Sequence, residues 1–140
     1  MSNRVAVTGV GVVANVGQGC SAFWSGLLSG VPSHGFELHD FDPLPYFDGN
    51  AKEARRCDRF AQLAFAAADE AITQAGDFIR DPTRCGSWVG TGVGGLDTLE
   101  KQVHILSEKG PRRVSPFLIP MLMANAASAG ISMKYGLQGP

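Results

Sequence analysis

Glycine is concentrated in one short segment of the chain, residues 90–95, which reads Gly-Thr-Gly-Val-Gly-Gly. Four glycines in six positions predict backbone conformations that other side chains disfavour, or a close approach by another part of the chain. The strand-like residues 87–89 (Ser-Trp-Val) come directly before it. The segment is therefore predicted to lie at the carboxyl end of a strand, which is the usual position of a functional site in an open α/β sheet.

Two apolar runs predict β-strands. Residues 4–8 (Arg-Val-Ala-Val-Thr) end at a glycine, and residues 85–89 lead into the glycine-rich segment. Residues with β-branched side chains, bounded by turn-forming residues, favour strands. Helical patterns separate and follow these two runs, so the fold class is predicted to be α/β.

The first two helices are predicted from capping residues and from apolar spacing. Ser21 is predicted to be the N-cap of the first helix, and Gly30 is predicted to end it. The clearest helical pattern covers residues 58–75, where apolar residues recur every three or four positions. Asp58 is predicted to be the N-cap of this second helix.

Two more helices are predicted in the second half of the chain. Leu96 begins an amphipathic pattern that Gly110 ends. Pro120 suits the first turn of a last helix over residues 121–134. That last helix carries almost no charge before its end, so we expect it to be buried on most sides.

Composition indicates one globular domain. The chain has 140 residues, of which 44% are hydrophobic and 18% charged, and this balance is typical of a folded soluble protein. A net charge of −1 gives no reason to expect a nucleic-acid partner. No apolar run approaches the roughly 20 residues that cross a bilayer, so no membrane association is predicted.

Cysteine and histidine form no recognisable pattern for metal binding or catalysis. The three cysteines are widely spaced and odd in number, which favours free thiols in a reducing cytoplasm over a disulfide framework. The three histidines stand apart from any candidate partner, and each is predicted to be a surface residue. These six residues are Cys20, Cys57 and Cys85, and His34, His39 and His104.

Two glycine patterns allow a dinucleotide-binding hypothesis. Residues 9–14 fit G-x-G-x-x-A and residues 90–95 fit G-x-G-x-x-G, each after a predicted strand. In such sites backbone amides at a helix N-terminus hold the phosphates. However, Gly17 and Gly19 come before any helix, and no strand ending in an acidic residue follows at the expected distance. The alternative is that these glycines let backbone pack against backbone.

Two basic doublets and a methionine-rich segment each allow two interpretations. Residues 55–56 and residues 112–113 are both Arg-Arg. Each doublet is either a solvated surface or a docking site for an acidic partner. Residues 121–123 (Met-Leu-Met) are either core or the lining of an adaptable apolar pocket.

Taken in order, the motifs resemble those of the β-ketoacyl synthases. The likeness covers essentially the whole chain, and it is strongest to the elongating synthases of dissociated fatty acid synthesis, whose landmarks aromatic polyketide synthases share. It implies that residues 1–140 form the incomplete N-terminal part of a thiolase-like layered α/β/α fold, truncated before the nucleophile motif. The segments that carry it are residues 4–14, 23–30, 58–62 (Asp-Arg-Phe-Ala-Gln), 90–95, 110–116 (Gly-Pro-Arg-Arg-Val-Ser-Pro) and 135–140 (Tyr-Gly-Leu-Gln-Gly-Pro).

The resemblance implies an acyltransferase whose catalytic residues are not in these residues. The family condenses an acyl group, held on a cysteine thioester, with a malonyl thioester on acyl carrier protein that loses CO₂. By family position the nucleophilic cysteine follows shortly after Pro140, and the two histidines and the lysine come later. Cys20, Cys57 and Cys85 do not match that nucleophile. The chain alone is therefore predicted to be inactive, and no cofactor or metal is expected.

The resemblance does imply two binding surfaces. An apolar tunnel for the acyl chain is expected to be lined by Val93, Leu118, Leu122 and Met123. The last three lie in a segment that reaches the tunnel across the interface of a homodimer or a ketosynthase heterodimer. Docking of acyl carrier protein is expected at four arginines, Arg55, Arg56, Arg112 and Arg113.

Two other functions remain open from the sequence. One is a non-catalytic acyl-binding partner, like the chain-length subunit of polyketide systems, which keeps the scaffold but lacks the thiol. The presence or absence of a cysteine at the downstream nucleophile position separates this partner from the enzyme. The other is the dinucleotide-binding domain described above.

Overall fold

The computed structural model describes residues 4–30, 37–77 and 79–140. Two very short strands form an antiparallel hairpin, and six helices account for most of the regular structure of the described residues. The strands are β1 (Val13–Ala14) and β2 (Gly17–Gln18); the helices are α1 (Cys20–Ser29), α2 (Ala51–Ala54), α3 (Arg59–Ala75), α4 (Leu96–Lys109), α5 (Leu118–Leu122) and α6 (Ala126–Tyr135). None of these helices is both long enough and apolar enough to span a membrane.

The chain divides into two compact units. The first unit comprises the residues up to Asp42 together with Ala66–Arg80. The second comprises Pro43–Phe65 and Asp81–Pro140. Helix α3 contributes its last part to the first unit and its beginning to the second.

In the first unit, glycine allows the N-terminal segment to lie directly on the backbone of α3. A Cβ atom on Gly9 would lie 2.0 Å from the carbonyl oxygen of Ala71, and one on Gly11 would lie 1.9 Å from that of Ala67. No side chain fits at such distances. The first glycine pattern therefore serves backbone packing, as the alternative to dinucleotide binding predicted.

A distant glutamate takes the place of the predicted N-cap of α1. Ser21 was predicted to cap this helix, and that prediction is wrong. The helix begins at Cys20, and its N-cap is Gly19, at a φ of 87° and without a side-chain cap bond. Instead the Cys20 N–H donates to Oε1 of Glu70 on α3, at 2.7 Å. Gly30 ends the helix in the left-handed conformation, as predicted.

The two predicted strands, residues 4–8 and 85–89, do not form. The described residues contain only the β1–β2 pair, and neither run has a neighbouring strand among them. Val5 is 94% exposed and Trp88 is 99% exposed, so these apolar side chains are not covered. A strand depends on hydrogen bonds from a neighbour, and residue type alone does not supply them.

The second unit has its core between the start of α3 and helix α6. The rings of Phe47 and Phe65 lie 4.8 Å apart between centroids. Gly130 lies against the Phe65 ring, since a Cβ there would come within 2.6 Å of Cζ. Ala127 and Ile131, which are close to Gly130 in the sequence of α6, are also buried. The core of this unit is therefore small and partly aromatic.

Helices α3 and α4 confirm the predictions made from apolar spacing. Asp58 is the N-cap of α3, because its Oδ1 accepts the N–H of Phe60 at 3.2 Å. Helix α4 begins at Leu96 and is followed by Gly110, as predicted. Both helices have the periodicity that makes sequence-based prediction most secure.

The predicted last helix, residues 121–134, is instead two helices with a break between them. Helix α5 ends at Leu122, and Met123 has extended backbone with a ψ of 133°. The Leu122 carbonyl accepts a hydrogen bond from the N–H of Gly95, at 3.1 Å. The expectation of burial on most sides is also wrong, because Met133 is 80% exposed.

Candidate functional site

The glycine-rich segment, residues 90–95, packs against the end of α5. Gly94 has a φ of 84°, and a Cβ there would lie 2.5 Å from the carbonyl oxygen of Leu122. A Cβ on Gly95 would lie 2.3 Å from the carbonyl oxygen of Met121. Glycine is required at both positions because two backbones meet there, as the sequence predicted for this segment.

This contact brings the segment that contains Val93 against the end of α5, near which Leu122 and Met123, two other residues predicted to line an acyl tunnel, are found. Val93 directly precedes the seated glycines, Leu118 and Leu122 lie in α5, and Met123 begins the break after it. Val93 is 59% exposed and Met123 is 47% exposed, whereas Leu118 and Leu122 are half-buried. Val93 and Met123 thus leave much of their apolar surface uncovered near this contact.

Backbone amides at the start of α4 already have acceptors within the protein. The Gly94 N–H donates to Oγ1 of Thr91 at 3.1 Å, and the Gly95 N–H donates to Leu122. The Thr98 N–H donates to Oδ2 of Asp58 at 2.7 Å. A phosphate bound at a helix N-terminus needs such donors. Their use here argues against the dinucleotide hypothesis for residues 90–95.

In the first glycine pattern, residues 9–14, backbone N–H groups are likewise already bonded within the protein and are not available to a phosphate. The Val10 N–H donates to Oε1 of Gln74 at 2.6 Å, and the Val12 N–H donates to Oε2 of Glu70 at 2.9 Å. The N–H groups of Cys20 and Val12 lower the pKa of the Glu70 carboxyl, because they stabilise its charged form. A carboxylate of the chain itself therefore takes the bonds that a phosphate would need.

Asp58 holds the starts of two helices together. Its side chain is buried, with 4% exposure, and its two oxygens accept from Phe60 on α3 and Thr98 on α4. One side chain thus supplies acceptors to the N-terminal N–H groups of two helices. The sequence predicted the cap on α3, but no local pattern predicted the bond to α4.

The first basic doublet is exposed and follows helix α2. Arg55 lines a cleft of about 390 Å³ whose walls include Arg59 and Lys101. The guanidinium carbon of Arg56 lies 4.3 Å from the ring centroid of Phe117, which is the N-cap of α5. The contact of Arg56 with Phe117 joins two residues that no sequence pattern had connected.

The second basic doublet, Arg112 and Arg113, lies in the short 3₁₀ turn Pro111–Arg113 after α4. Both side chains are exposed. Arg113 borders a shallow cavity with Ile105 and Lys109. The turn therefore presents two cations, and α4 adds a third near its end.

Cys20 and Cys57 are not activated nucleophiles. Burial and the nearby Glu53 raise the pKa of the Cys57 thiol. Partial burial and the Glu70 carboxylate raise the pKa of the Cys20 thiol. Reactive thiols require a lowered pKa, because the thiolate is the nucleophile. All three cysteines are free, and Cys85 is half-buried.

The histidines and the acidic residues form no metal site in the part of the chain that the structure describes. His39 and His104 are exposed, as predicted. The Nε2 atom of His39 lies 3.7 Å from a carboxylate oxygen of Glu37. His34 lies outside the described residues.

A comparison with protein families decides what the chain is related to. Residues 33–140 match the family model of the β-ketoacyl synthase N-terminal domain. The chain belongs to the β-ketoacyl synthase family. The resemblance stated from the sequence motifs is confirmed.

Relatives of this β-ketoacyl synthase chain include two curated enzymes. The 3-oxoacyl-[acyl-carrier-protein] synthase 2 of Staphylococcus aureus strain N315 is 38% identical over 154 residues, an alignment that covers 99% of this chain and 37% of the relative. The synthase of the same name from Synechocystis is also 38% identical, covering 98% of this chain and 36% of the relative. The chain thus spans little more than a third of the length of these relatives.

A solved structure supports the thiolase-like fold. It is a type II PKS acyl-carrier protein in complex with its ketosynthase bound to the hexaketide. The similarity has a TM-score of 0.81 at 27% identity, and it covers 96% of this chain and 40% of that one. The prediction of a partial thiolase-like α/β fold is therefore confirmed, although the individual strands predicted within it are not formed.

Proposed function

We propose that these residues form the N-terminal part of a 3-oxoacyl-[acyl carrier protein] synthase in fatty acid or polyketide biosynthesis. The observation that carries the proposal is the seating of Gly94 and Gly95 on the carbonyl groups of α5. It supports the proposal because Val93 directly precedes these two glycines and Leu122 lies in contact with them, in a chain whose relatives are synthases of this kind. The activity belongs to the whole protein, since the chain spans 37% of the first of these relatives.

The proposed reaction forms a carbon–carbon bond. A cysteine thiolate takes the acyl group from a carrier thioester, and the carrier thiol leaves. A malonyl thioester then loses CO₂, and the resulting carbanion attacks the acyl carbonyl and expels the cysteine thiolate. The cysteines with a raised pKa in this chain are unsuited to that step. The proposed contribution of these residues is binding, with no cofactor or metal.

Val93, Leu118, Leu122 and Met123 are proposed to line the acyl pocket. Each buried CH₂ of an acyl chain contributes about 0.8 kcal/mol, so an apolar lining favours long chains. The exposure of Val93 and Met123 leaves their apolar surface available to such a chain. In the whole protein, we propose a homodimer or a ketosynthase heterodimer in which α5 reaches the pocket. The free thiols fit a reducing cytoplasm.

Acyl carrier protein is proposed to dock on the two arginine doublets. Arg55, Arg56, Arg112 and Arg113 are all exposed cations, and the partner in the related complex is an acyl carrier protein. Acidic partners are attracted by such surfaces and bind them in a salt-dependent manner.

Charge reversal tests the docking proposal. In the whole protein, the double variant Arg112→Glu and Arg113→Glu is expected to raise KM for carrier-bound malonate by roughly tenfold or more, because like charges then face each other. KM for a pantetheine-borne thioester is expected to stay the same. Arg84→Glu, another exposed arginine, is the matched control and is expected to change neither value. An equal rise in KM for both substrates would show that Arg112 and Arg113 do not belong to the docking surface.

The function itself is tested on the protein encoded by the complete reading frame. Incubation with radiolabelled acyl carrier substrate is expected to label the protein, and malonyl carrier is expected to release CO₂. Acyl binding without labelling or CO₂ release would instead identify a non-catalytic chain-length partner. Saturable NADPH binding would favour the dinucleotide alternative. Residues 1–140 alone are expected to remain unlabelled, and a labelled fragment would contradict the assignment of the nucleophile.

A further inference from the structure

One short segment, residues 55–58, contacts the start of α5 and the start of α4, which lie next to the residues of the proposed acyl pocket. Arg56 lies on the ring of Phe117, at the start of α5. Asp58 accepts the Thr98 N–H at the start of α4, next to the glycine-rich segment. The same segment contains the first arginine doublet, which is the proposed docking site.

The contact between Arg56 and Phe117 has the geometry of a cation–π interaction. The guanidinium carbon lies 4.3 Å from the ring centroid, well inside the distance of about 6 Å at which such pairs attract. Phe117 keeps 37% of its surface exposed, so its ring packs only partly against the protein. The guanidinium is thus one of the groups that lie against this ring.

Backbone hydrogen bonds connect Phe117 through α5 to the glycine-rich segment. The Phe117 carbonyl accepts the N–H of Met121 at 3.0 Å, within the single turn of α5. At the other end of α5, the Leu122 carbonyl accepts the N–H of Gly95 at 3.1 Å. Helix α5 therefore connects Phe117, at its start, with the loop that contains Val93, at its end.

The backbone that carries Arg56 is itself held in place. The Arg56 N–H donates to the carbonyl of Glu53 at 2.9 Å. Nε2 of Gln62 on α3 donates to the carbonyl of Ala54 at 2.8 Å. The backbone that carries the Arg56 side chain is therefore fixed by hydrogen bonds to α2 and from α3.

We propose that Arg56 is a positioning residue of the acyl pocket as well as a docking cation. Its guanidinium holds Phe117, and through it α5, in the position that sets the depth of the pocket. An acidic carrier protein that binds this guanidinium draws it from the ring and releases α5. Docking and acyl-chain accommodation are thereby coupled. This inference rests on the proposed synthase function.

The test uses the whole protein with pantetheine-borne thioesters, so that no carrier protein is present. Arg56→Gln is expected to change the ratio of long-chain to short-chain kcat/KM by roughly threefold to tenfold, as loss of a cation–π contact predicts. Phe117→Leu is expected to produce the same change, and the double variant no more than either alone. Arg56→Lys keeps a cation and is expected to restore part of the ratio.

Two other single-charge variants separate docking from positioning. Arg55→Gln is expected to raise KM for carrier-bound substrate without altering the chain-length ratio, since the guanidinium that lies over Phe117 is that of Arg56. Lys52→Gln, on α2, removes an exposed cation outside both surfaces and is expected to alter neither. Thermal unfolding of all variants is expected to match the unaltered protein within a few degrees, which excludes a general loss of folding.

Three results would overturn the inference. The first is an Arg56→Gln protein that differs from the unaltered protein only in its KM for carrier substrate, which would make Arg56 a docking cation alone. The second is a double variant whose effects on the chain-length ratio simply add, because the two side chains would then act independently. The third is an unaltered protein that elongates no substrate of either kind, which would overturn the proposed function and this inference together.

Discussion

Gly95→Ala is expected to lower the free energy of unfolding of the whole protein by on the order of 2–4 kcal/mol and to abolish elongation of long acyl chains. The added methyl carbon would lie 2.3 Å from the carbonyl oxygen of Met121. That atom belongs to the backbone of α5 and cannot rotate away. The loop must therefore separate from α5, and the hydrogen bond from Gly95 to Leu122 is lost with it.

Gly92→Ala is the matched control in the same segment. A Cβ on Gly92 would meet no atom within 4 Å, so we expect wild-type stability and wild-type elongation. Denaturant unfolding and elongation of a long-chain primer measure both variants. An equal loss of stability and elongation in the two variants would mean that the segment does not tolerate a side chain for a reason other than its contact with α5. Equal tolerance would show that the loop and α5 are not seated as described.

Val93→Phe is expected to restrict the protein to short acyl chains. A phenyl ring occupies the length of about four methylene groups, each worth about 0.8 kcal/mol when buried, so a long chain loses roughly 3 kcal/mol, on the order of a hundredfold in kcat/KM. A short primer does not reach the ring and is expected to be elongated at the normal rate. The product distribution and the kcat/KM for each primer measure the change.

Val103→Phe provides the comparison for the effect of size alone. Val103 lies on α4 and is 54% exposed, close to the 59% of Val93, but it lies outside the glycine-rich segment. We expect this variant to elongate short and long primers as the unaltered protein does. If Val93→Phe also keeps its long-chain activity, Val93 does not line the acyl pocket. A loss for short and long primers alike would point to damaged folding.

Helices α3 and α4 could be predicted because their information is local. Apolar residues at spacings of three and four place one face of each helix toward the protein. Asp58 and Gly110 mark boundaries that depend on neighbouring residues only. The close backbone approach at the glycine-rich segment was also predictable, because a cluster of glycines indicates such an approach. The sequence did not identify α5 as the element that is approached.

The features that were predicted wrongly depend on groups far away in the sequence. The cap of α1 comes from Glu70, which no pattern near Ser21 indicates. The end of α5 coincides with a bond between Leu122 and Gly95, so a continuous helical pattern was not enough. Residues 4–8 have the composition of a strand but no neighbouring strand among the described residues.

The candidate site was predictable only in part for the same reason. The motif order indicated the family, and family position named Val93 and the arginines. Neither indicated that Arg56 lies over Phe117, because the two residues belong to separate motifs. Contacts of this kind are fixed by tertiary packing, which a single sequence does not encode in any local pattern.

The Glu70 carboxylate makes the stability of the N-terminal β1–β2 hairpin depend on pH. Its folded-state pKa lies below the usual value for a glutamate, because peptide N–H groups of Val12 and Cys20 favour the ionised form. Its stabilising contribution is complete above the usual glutamate pKa and disappears as the pH falls through the lowered one. Acid would thus weaken the attachment of Val12 and Cys20 to α3 by neutralising the carboxylate that accepts their N–H groups.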